Sequence, residues 1–461
     1  MRLTSWNGWV AVGCLMVVSC PAGEPEGSPG RVRDTTAAER GRIALTLQGF
    51  LKPEWSDAAY RRAGGLWDQP APDPDRDPAG YAAAFRYRYG LHPAPYPNDG
   101  LPMGLRRGIG RDGVKTGLQI DCMACHGGSI GGTSYVGLGN TQLDLRPLLN
   151  ELTIADGRRP PPSTFVLNTS RGTNNAGMVA AVLISLRNRD LSFRWFPMPL
   201  GVNLPEMDTP AWWHLKRKRT MYYDGRTDAR SVRTNMQFML GEKSLEEFKK
   251  LEPAFRDLQA FLFSLEPPRY PFPIDTQKAA HGKVVFEQTC ARCHGMYGPG
   301  GKYPNKIIPL DVIGTDPARA NGLSDRLVAH YNATWLGAEH PVNPEKGGYQ
   351  APPLDGLWAT APYLHNGSVP TLHALLDSTS RPKRFTRPPS TGFEHYDTTH
   401  VGWKFAEVSL EELASTTRRS PFQAKFIVDT ARFGLSNSGH SFGDRLSETQ
   451  RMDLIEYLKT L

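Results

Sequence analysis

Two pentapeptides stand out for the chemistry that their residue types and spacing allow: Cys122-Met123-Ala124-Cys125-His126 and Cys290-Ala291-Arg292-Cys293-His294. Each is a C-x-x-C-H. On a single helical turn its two thiols can bond to the two vinyl groups of a haem, and the adjacent histidine can ligate the iron from the proximal side. Six cysteines and 12 histidines in 461 residues make two such pentapeptides a poor candidate for accident. The competing readings of a bare C-x-x-C, a thioredoxin-like redox pair or half of a zinc site, do not require a histidine directly after the second thiol. The motifs therefore predict two covalently bound haem c groups, one held by Cys122, Cys125 and His126 and the other by Cys290, Cys293 and His294.

The two remaining cysteines lie in the N-terminal stretch. After Arg2, Trp9–Val18 is apolar but too short to span a bilayer, and it ends in Val17-Val18-Ser19-Cys20. This reads as a secretory signal over residues 1–19, followed by a linker over 20–34. The ending resembles a lipoprotein box, which makes Cys20 a candidate lipid anchor; ordinary cleavage between Cys20 and Gly27 is the alternative. The expected location is outside the bacterial cytoplasm: periplasmic, anchored to the outer membrane, or secreted. Cys14 leaves with the signal, so every other cysteine is assigned and none is left for a disulfide.

Helices must position these motifs. Gln277–Thr289, with Ala280, Val284, Val285 and Phe286 at mixed helical spacing and Gly282 as a close-contact point, reads as the opening helix of a cytochrome c domain. Ser447-Glu448-Thr449-Gln450 is a capping box for a final helix with Met452, Ile455 and Leu458 on one face. Helices are also expected over Ala37–Leu51, Met178–Asn188 and Ser244–Ser264, the last with Leu245, Phe248, Leu258, Phe261 and Leu262 as its apolar face. Strand signals are sparse. The Pro-rich run from Glu266 to Pro273 marks a boundary. The predicted fold is mainly α: two cytochrome c-type haem domains, at 35–267 and 277–461, joined by a connector over 268–276. With 46 glycines and 39 prolines, long irregular loops are expected between the helices.

Composition narrows the function. At 39% hydrophobic and 22% charged residues the chain is globular. The net charge of +8 is scattered, which favours acidic partners or surfaces and gives no nucleic-acid module. Gly439-His440-Ser441-Phe442-Gly443 fits the G-x-S-x-G of a hydrolase elbow but lacks the buried strand that elbow needs. Gly127-Gly128-Ser129-Ile130-Gly131-Gly132 lacks the lysine of a phosphate loop and reads as a loop at the haem edge. Lys216-Arg217-Lys218-Arg219 reads as a solvated basic face.

Several segments carry a resemblance, which spans most of the chain from about Thr116. Tyr363-Leu364-His365-Asn366-Gly367-Ser368-Val369-Pro370-Thr371-Leu372, Gly314-Thr315-Asp316-Pro317 and the Ser438–Gly443 segment are similar to those of bacterial rubber oxygenases. These enzymes are a branch of the di-haem cytochrome c peroxidase superfamily, and known members are considerably longer. Met221-Tyr222-Tyr223-Asp224-Gly225-Arg226 resembles the peroxidases' F-W-D-G-R, with Tyr223 in place of the inter-haem tryptophan. The resemblance also puts Phe238 where peroxidases carry a distal glutamate; rubber oxygenases likewise have phenylalanine there.

The resemblance implies an N-terminal haem that activates O2 or peroxide, with Phe238 on its distal face and Tyr222 and Tyr223 nearby, and a C-terminal haem that transfers electrons. It implies His440 as the second axial ligand opposite His294, with His365 and His214 as rivals. His365 is better placed as a cofactor-binding residue that tunes the haem through hydrogen bonds. The partners implied are O2 or peroxide, an unsaturated hydrocarbon substrate or a small redox protein. The alternatives are a di-haem peroxidase and a non-catalytic electron-transfer cytochrome with both irons six-coordinate. A lipoprotein scaffold with structural haems is disfavoured, since two covalent haems are an extravagant way to hold loops.

Overall fold

The computed structural model describes residues 35–109, 115–161, 170–199, 201–241 and 243–461. The signal, linker and Cys20 anchor expected over residues 1–34 lie outside them. About 41% of the structure is helical and 12% is strand, so helix predominates in a mixed fold. The strands exceed what the sequence signals suggested. They occur as small two-stranded antiparallel pairs that bring order to the Gly- and Pro-rich connections.

Local signals account for the principal helices. They are α1 (Ala37–Ile43), α2 (Pro78–Tyr89), α3 (Leu145–Ala155), α4 (Ala176–Ser185), α5 (Leu245–Ser264), α6 (Thr276–Thr289), α7 (Asp325–Asn332) and α8 (Glu448–Leu458). Thr36, Asp77, Asp275 and Ser324 cap α1, α2, α6 and α7 by accepting first-turn backbone N–H groups. Reciprocal capping boxes, Ser244 with Glu247 and Ser447 with Gln450, open α5 and α8.

Two helix crossings repeat one design. Helix α1 packs on α5 where Gly41 meets the backbone of Asp257 and Leu258, and α6 packs on α8 where Gly282 meets Asp453 and Leu454. A Cβ at either glycine would collide with the facing carbonyl, so only glycine permits these approaches. The second C-x-x-C-H follows directly on α6, the first helix of its crossed pair, whereas the first lies well downstream of α1.

The apolar clusters tie early and late segments together. Phe286, Leu454 and Leu458 pack in a cluster with Trp358, Tyr363, Tyr396 and Trp403, which also takes in Ile130, Leu138 and Trp213. A second cluster joins Met123, Met236, Phe248 and Leu258 to Leu327, Tyr331 and Leu336. The Pro-rich connector lies along the later segment, where Trp358 Nε1 donates to the Pro268 carbonyl at 2.9 Å and the Tyr270 hydroxyl to that of Thr398 at 3.1 Å. Among the described residues no helix is long and apolar enough to cross a membrane.

Candidate haem sites

Each C-x-x-C-H folds as a short helical turn, Met123–His126 in the first and Ala291–His294 in the second. In both, the histidine N–H donates to the carbonyl of the first cysteine at 3.0 Å. Positions i, i+3 and i+4 share a helix face, so both thiols and the imidazole are on the same side of the turn. All four thiols are free.

A cavity opens in front of each turn. The first, about 1460 Å³ when its mouth into open solvent is included, is lined by Cys125, His126, Tyr222, Tyr223 and Phe238, with Ala180, Ala181 and Ile184 of α4 among its apolar walls. The second, about 1550 Å³ on the same measure, is lined by Cys290, Cys293, His294, His365 and His440. Asp208, Thr209, Pro210, Ala211 and Tyr223 line both, so one strip of chain and one tyrosine form the partition between them.

In the second cavity His294 Nδ1 bonds to the Pro352 carbonyl at 2.8 Å, which fixes the ring and leaves Nε2 available. The rings of His294 and His440 lie 6.3 Å apart, centre to centre, inclined at 60°. Metal–nitrogen bonds of about 2 Å, plus roughly 1.2 Å from each bonded nitrogen to its ring centre, set two imidazoles on one metal about 6.4 Å apart. The observed spacing matches.

His440 is held there firmly. It adopts φ +47°, its N–H donates to the Ile313 carbonyl at 2.7 Å, and Arg381 donates to the carbonyls of Asn437 and Gly439 at 2.6 Å. Gly439 packs directly on Gly314, so the Gly314–Pro317 and Ser438–Gly443 segments, separate in sequence, meet here. Burial, then the neighbouring His294 and Arg381, lower the His440 pKa to about 4, and its Nδ1 is buried without a partner.

The rival histidines are placed differently. His214 lines the second cavity, but its Nε2 is engaged by the Asp355 carbonyl at 2.8 Å. His365 is buried, stacks on Tyr349 at 4.3 Å and 22°, and meets Tyr223 edge-on at 5.9 Å. Its Nε2 has no partner, and burial lowers its pKa to about 3.

In the first cavity the His126 ring lies face to face with Trp212, 4.4 Å apart at 19°. Burial lowers its pKa to about 4, with the Pro210 carbonyl acting in the opposite direction. His126 is the only histidine among the described residues that line this cavity. The Tyr222 hydroxyl accepts from Gln237 Nε2 at 3.1 Å, and Tyr222 itself sits at φ +65°. Tyr223 donates to the Asp208 carbonyl at 3.2 Å. Phe238, in the turn Gln237–Met239, lines the cavity while remaining 39% exposed.

Trp212, Tyr349, Arg319 and Asp208 carried no sequence signal. Trp212 and Tyr349 flank the key imidazoles, and Arg319 pairs with Asp224 at 2.7 Å with both side chains buried. Asp208 is buried in the partition with Oδ1 unpartnered; burial raises its pKa to about 8, while Arg387 pulls it down.

The other three motifs resolve plainly. The segment before Ser441 is irregular and no helix follows it directly, so no hydrolase elbow forms. Gly127–Ile130 pairs with Thr133–Val136 as a hairpin, where the sequence suggests an irregular loop. The basic run is not a solvated face: Lys216 pairs with Glu266, Arg217 with Asp355, Lys218 lines the first cavity, and Arg219 bonds to Pro304 and Asn305.

Free thiol pairs, adjacent imidazoles with uncommitted nitrogens and a large, mostly apolar space in front of each are the donor set and volume that haem c needs. Among the described residues no three His, Cys, Asp or Glu side chains gather as a cation-binding group, so the zinc reading lacks its ligand set.

Residues 348–386 match the family model described as RoxA-like, cytochrome c-like. That segment contains Tyr349, Tyr363 and His365 of the second cavity. Two uncharacterized proteins of Sinorhizobium fredii are similar to this chain. The one called y4iM is 33% identical over 240 residues, covering 43% of this chain and 52% of that protein. The one called y4iJ is 32% identical over 265 residues, covering 43% of this chain and 41% of that protein. The chain spans about half the length of these relatives or less. A RoxA-like, cytochrome c-like segment in the same chain as C-x-x-C-H turns supports a haem cytochrome and implies haem c as its cofactor.

Proposed function

We propose that the chain is an exported di-haem c-type oxidoreductase of the rubber-oxygenase-like branch of the di-haem peroxidase superfamily. The site at Cys122, Cys125 and His126 takes O2 or peroxide, and the site at Cys290, Cys293 and His294 transfers electrons. The asymmetry between the cavities carries this reading: His440 faces His294 at the spacing of two ligands on one metal, whereas His126 shares its cavity with Phe238 and with no second described histidine. The repeated Gly41 and Gly282 crossings support one haem module on each side of the Pro-rich connector.

When bound, haem c supplies an iron that takes a small oxidant at an open position and exchanges single electrons. Trp212 fixes the plane of the His126 ring, and Gln237 orients the Tyr222 hydroxyl. Phe238 cannot accept or return a proton, and with the α4 aliphatics it gives the cavity a wall suited to an unsaturated hydrocarbon. Tyr223 and the 208–211 strip keep the two sites separate yet adjacent. The proposed partners are O2 or peroxide with a hydrocarbon substrate or a small redox protein, and the proposed anchor is a lipid on Cys20. Peroxide reduction is the second reading, favoured by the Tyr222 hydroxyl and Gln237 amide that keep two polar groups in the first cavity.

A pyridine haemochrome assay with electron paramagnetic resonance tests the reading. Two haems per chain are expected, one high-spin and one low-spin. Two low-spin signals would make this a pure electron-transfer cytochrome, and one haem per chain would remove the proposal.

A further inference from the structure

Helix α4, which walls the first cavity, runs directly into a turn that holds three aromatic rings in solvent. Phe193 is 59% exposed, Trp195 92% and Phe196 82%. Isolated exposed hydrophobics are ordinary, but three large rings within four residues form a patch.

The patch is built, not frayed. Leu191 and Met198 are buried on either side of it and pin both ends. Asn188 N–H donates to the Ser192 carbonyl at 2.9 Å, Arg194 N–H to that of Leu186 at 2.8 Å, and Met198 N–H to that of Ser185 at 2.9 Å. Arg187 donates to the Leu191 carbonyl at 3.0 Å, and Ser192 donates twice to Asp190. From α7, His330 Nε2 bonds to the Arg187 carbonyl at 3.0 Å. The rings therefore stay outward because the backbone beneath them is fixed.

The charge around them has a sign. Of the charged residues from Arg187 to Phe196, Arg189 and Asp190 are exposed, Arg194 is half-buried and Arg187 is buried, so the turn offers two accessible cations against one carboxylate. Arg194 lies within the turn itself, where it donates to the Phe196 carbonyl at 3.4 Å and to Asn188 Oδ1 at 3.3 Å. Exposed tryptophan and phenylalanine next in sequence to accessible arginines suit a bilayer interface, where rings enter the acyl boundary and cations meet the phosphates. Each cation near an anionic surface adds attraction that salt screens.

We infer that the Phe193–Phe196 turn docks the protein on an anionic lipid surface, placing the outer end of α4, and with it the first cavity, beside the membrane. The inference is independent of the haem chemistry. It is tested by sedimentation of the full chain with vesicles of phosphatidylcholine alone and with one quarter phosphatidylglycerol. Three variants accompany the parent: Trp195→Ala with Phe196→Ala, Arg189→Glu with Arg194→Glu, and Trp195→Phe as the conservative control. Every variant keeps the N-terminus, so any lipid at Cys20 contributes equally.

The expected result is salt-sensitive binding to the anionic vesicles, weakened about tenfold or more in both double variants and largely kept by Trp195→Phe. Brominated acyl chains should quench more fluorescence in the parent than in Trp195→Phe. Equal binding by the parent and both double variants would overturn the inference, as would an absence of binding. Ring-dependent binding that ignores lipid charge would also overturn it, and would indicate a neutral hydrocarbon phase instead.

Discussion

The Tyr223 hydroxyl donates to the backbone carbonyl of Asp208 at 3.2 Å, and these two residues line both cavities at once. The bond pins the one aromatic side chain common to the two sites, and burial raises the Tyr223 pKa well above its ordinary value. A ring in that place shortens the gap that an electron must cross. Tyr223→Leu is expected to slow electron equilibration between the two haems after rapid partial reduction, while Tyr223→Phe retains most of the rate. Unchanged kinetics in the leucine variant would remove Tyr223 from the path.

His440→Ala is expected to convert the second haem from low-spin to high-spin and to leave the first unchanged, read by electron paramagnetic resonance. The reason is the 6.3 Å separation of the His294 and His440 rings across the cavity. His365→Ala should leave both spin states as they are, because that ring is stacked on Tyr349, and should shift only the potential of the second haem. A spin change in His365→Ala, with none in His440→Ala, would reverse the assignment.

Asp208 makes stability depend on pH. Its carboxyl is raised to about 8 by burial, from an unfolded value of 3.8, so between these limits the folded chain holds a proton that the unfolded chain has released. Stability therefore falls as pH rises through that window, by at most about 1.4 kcal/mol per unit. Asp208→Asn keeps the shape without the ionisation. It is expected to melt higher than the parent at pH 7, with the gap closing towards pH 4 in thermal denaturation. A constant gap across that range would show that the carboxyl does not titrate there.

What could be read from the sequence was local. The capping boxes at Ser244 and Ser447 lie within four residues of their partners, and C-x-x-C-H is complete in five, so helix starts and the C-x-x-C-H turns were plain. Gly282 was recognisable as a close-contact point, though the partner it touches was not. The Trp212 stack on His126, the Tyr349 stack on His365 and the buried Asp208 are made by segments that only the tertiary fold brings together. The run Lys216–Arg219 misled for the same reason: four cations in a row suggest a solvated face, but Glu266, Asp355 and the first cavity claim three of them. The strand pairs were missed because most are two to four residues long, too short for alternation to register.

Under the proposed function, Phe238 is the side chain expected to decide between O2 and peroxide. It follows the helical turn Val232–Met236, capped by Ser231, and lines the cavity of His126. Heterolysis of peroxide needs a group that takes a proton from one oxygen and delivers it to the other, and a phenyl ring can do neither. Tyr222 and Asp224 also line this cavity, but burial raises the Tyr222 pKa and its oxygen is engaged by Gln237, while Asp224 is paired with Arg319, so neither is a free proton acceptor. The parent protein is therefore expected to turn over peroxide slowly with a reduced small cytochrome, and to consume O2 when given polyisoprene or another unsaturated hydrocarbon. Phe238→Glu supplies the missing proton acceptor in an exposed enough position to ionise, and should raise peroxide turnover while depressing O2 uptake. Fast peroxide turnover by the parent would remove the oxygenase reading. An inert Phe238→Glu with both haems loaded and spin states unchanged would show that this side chain does not face the reacting position.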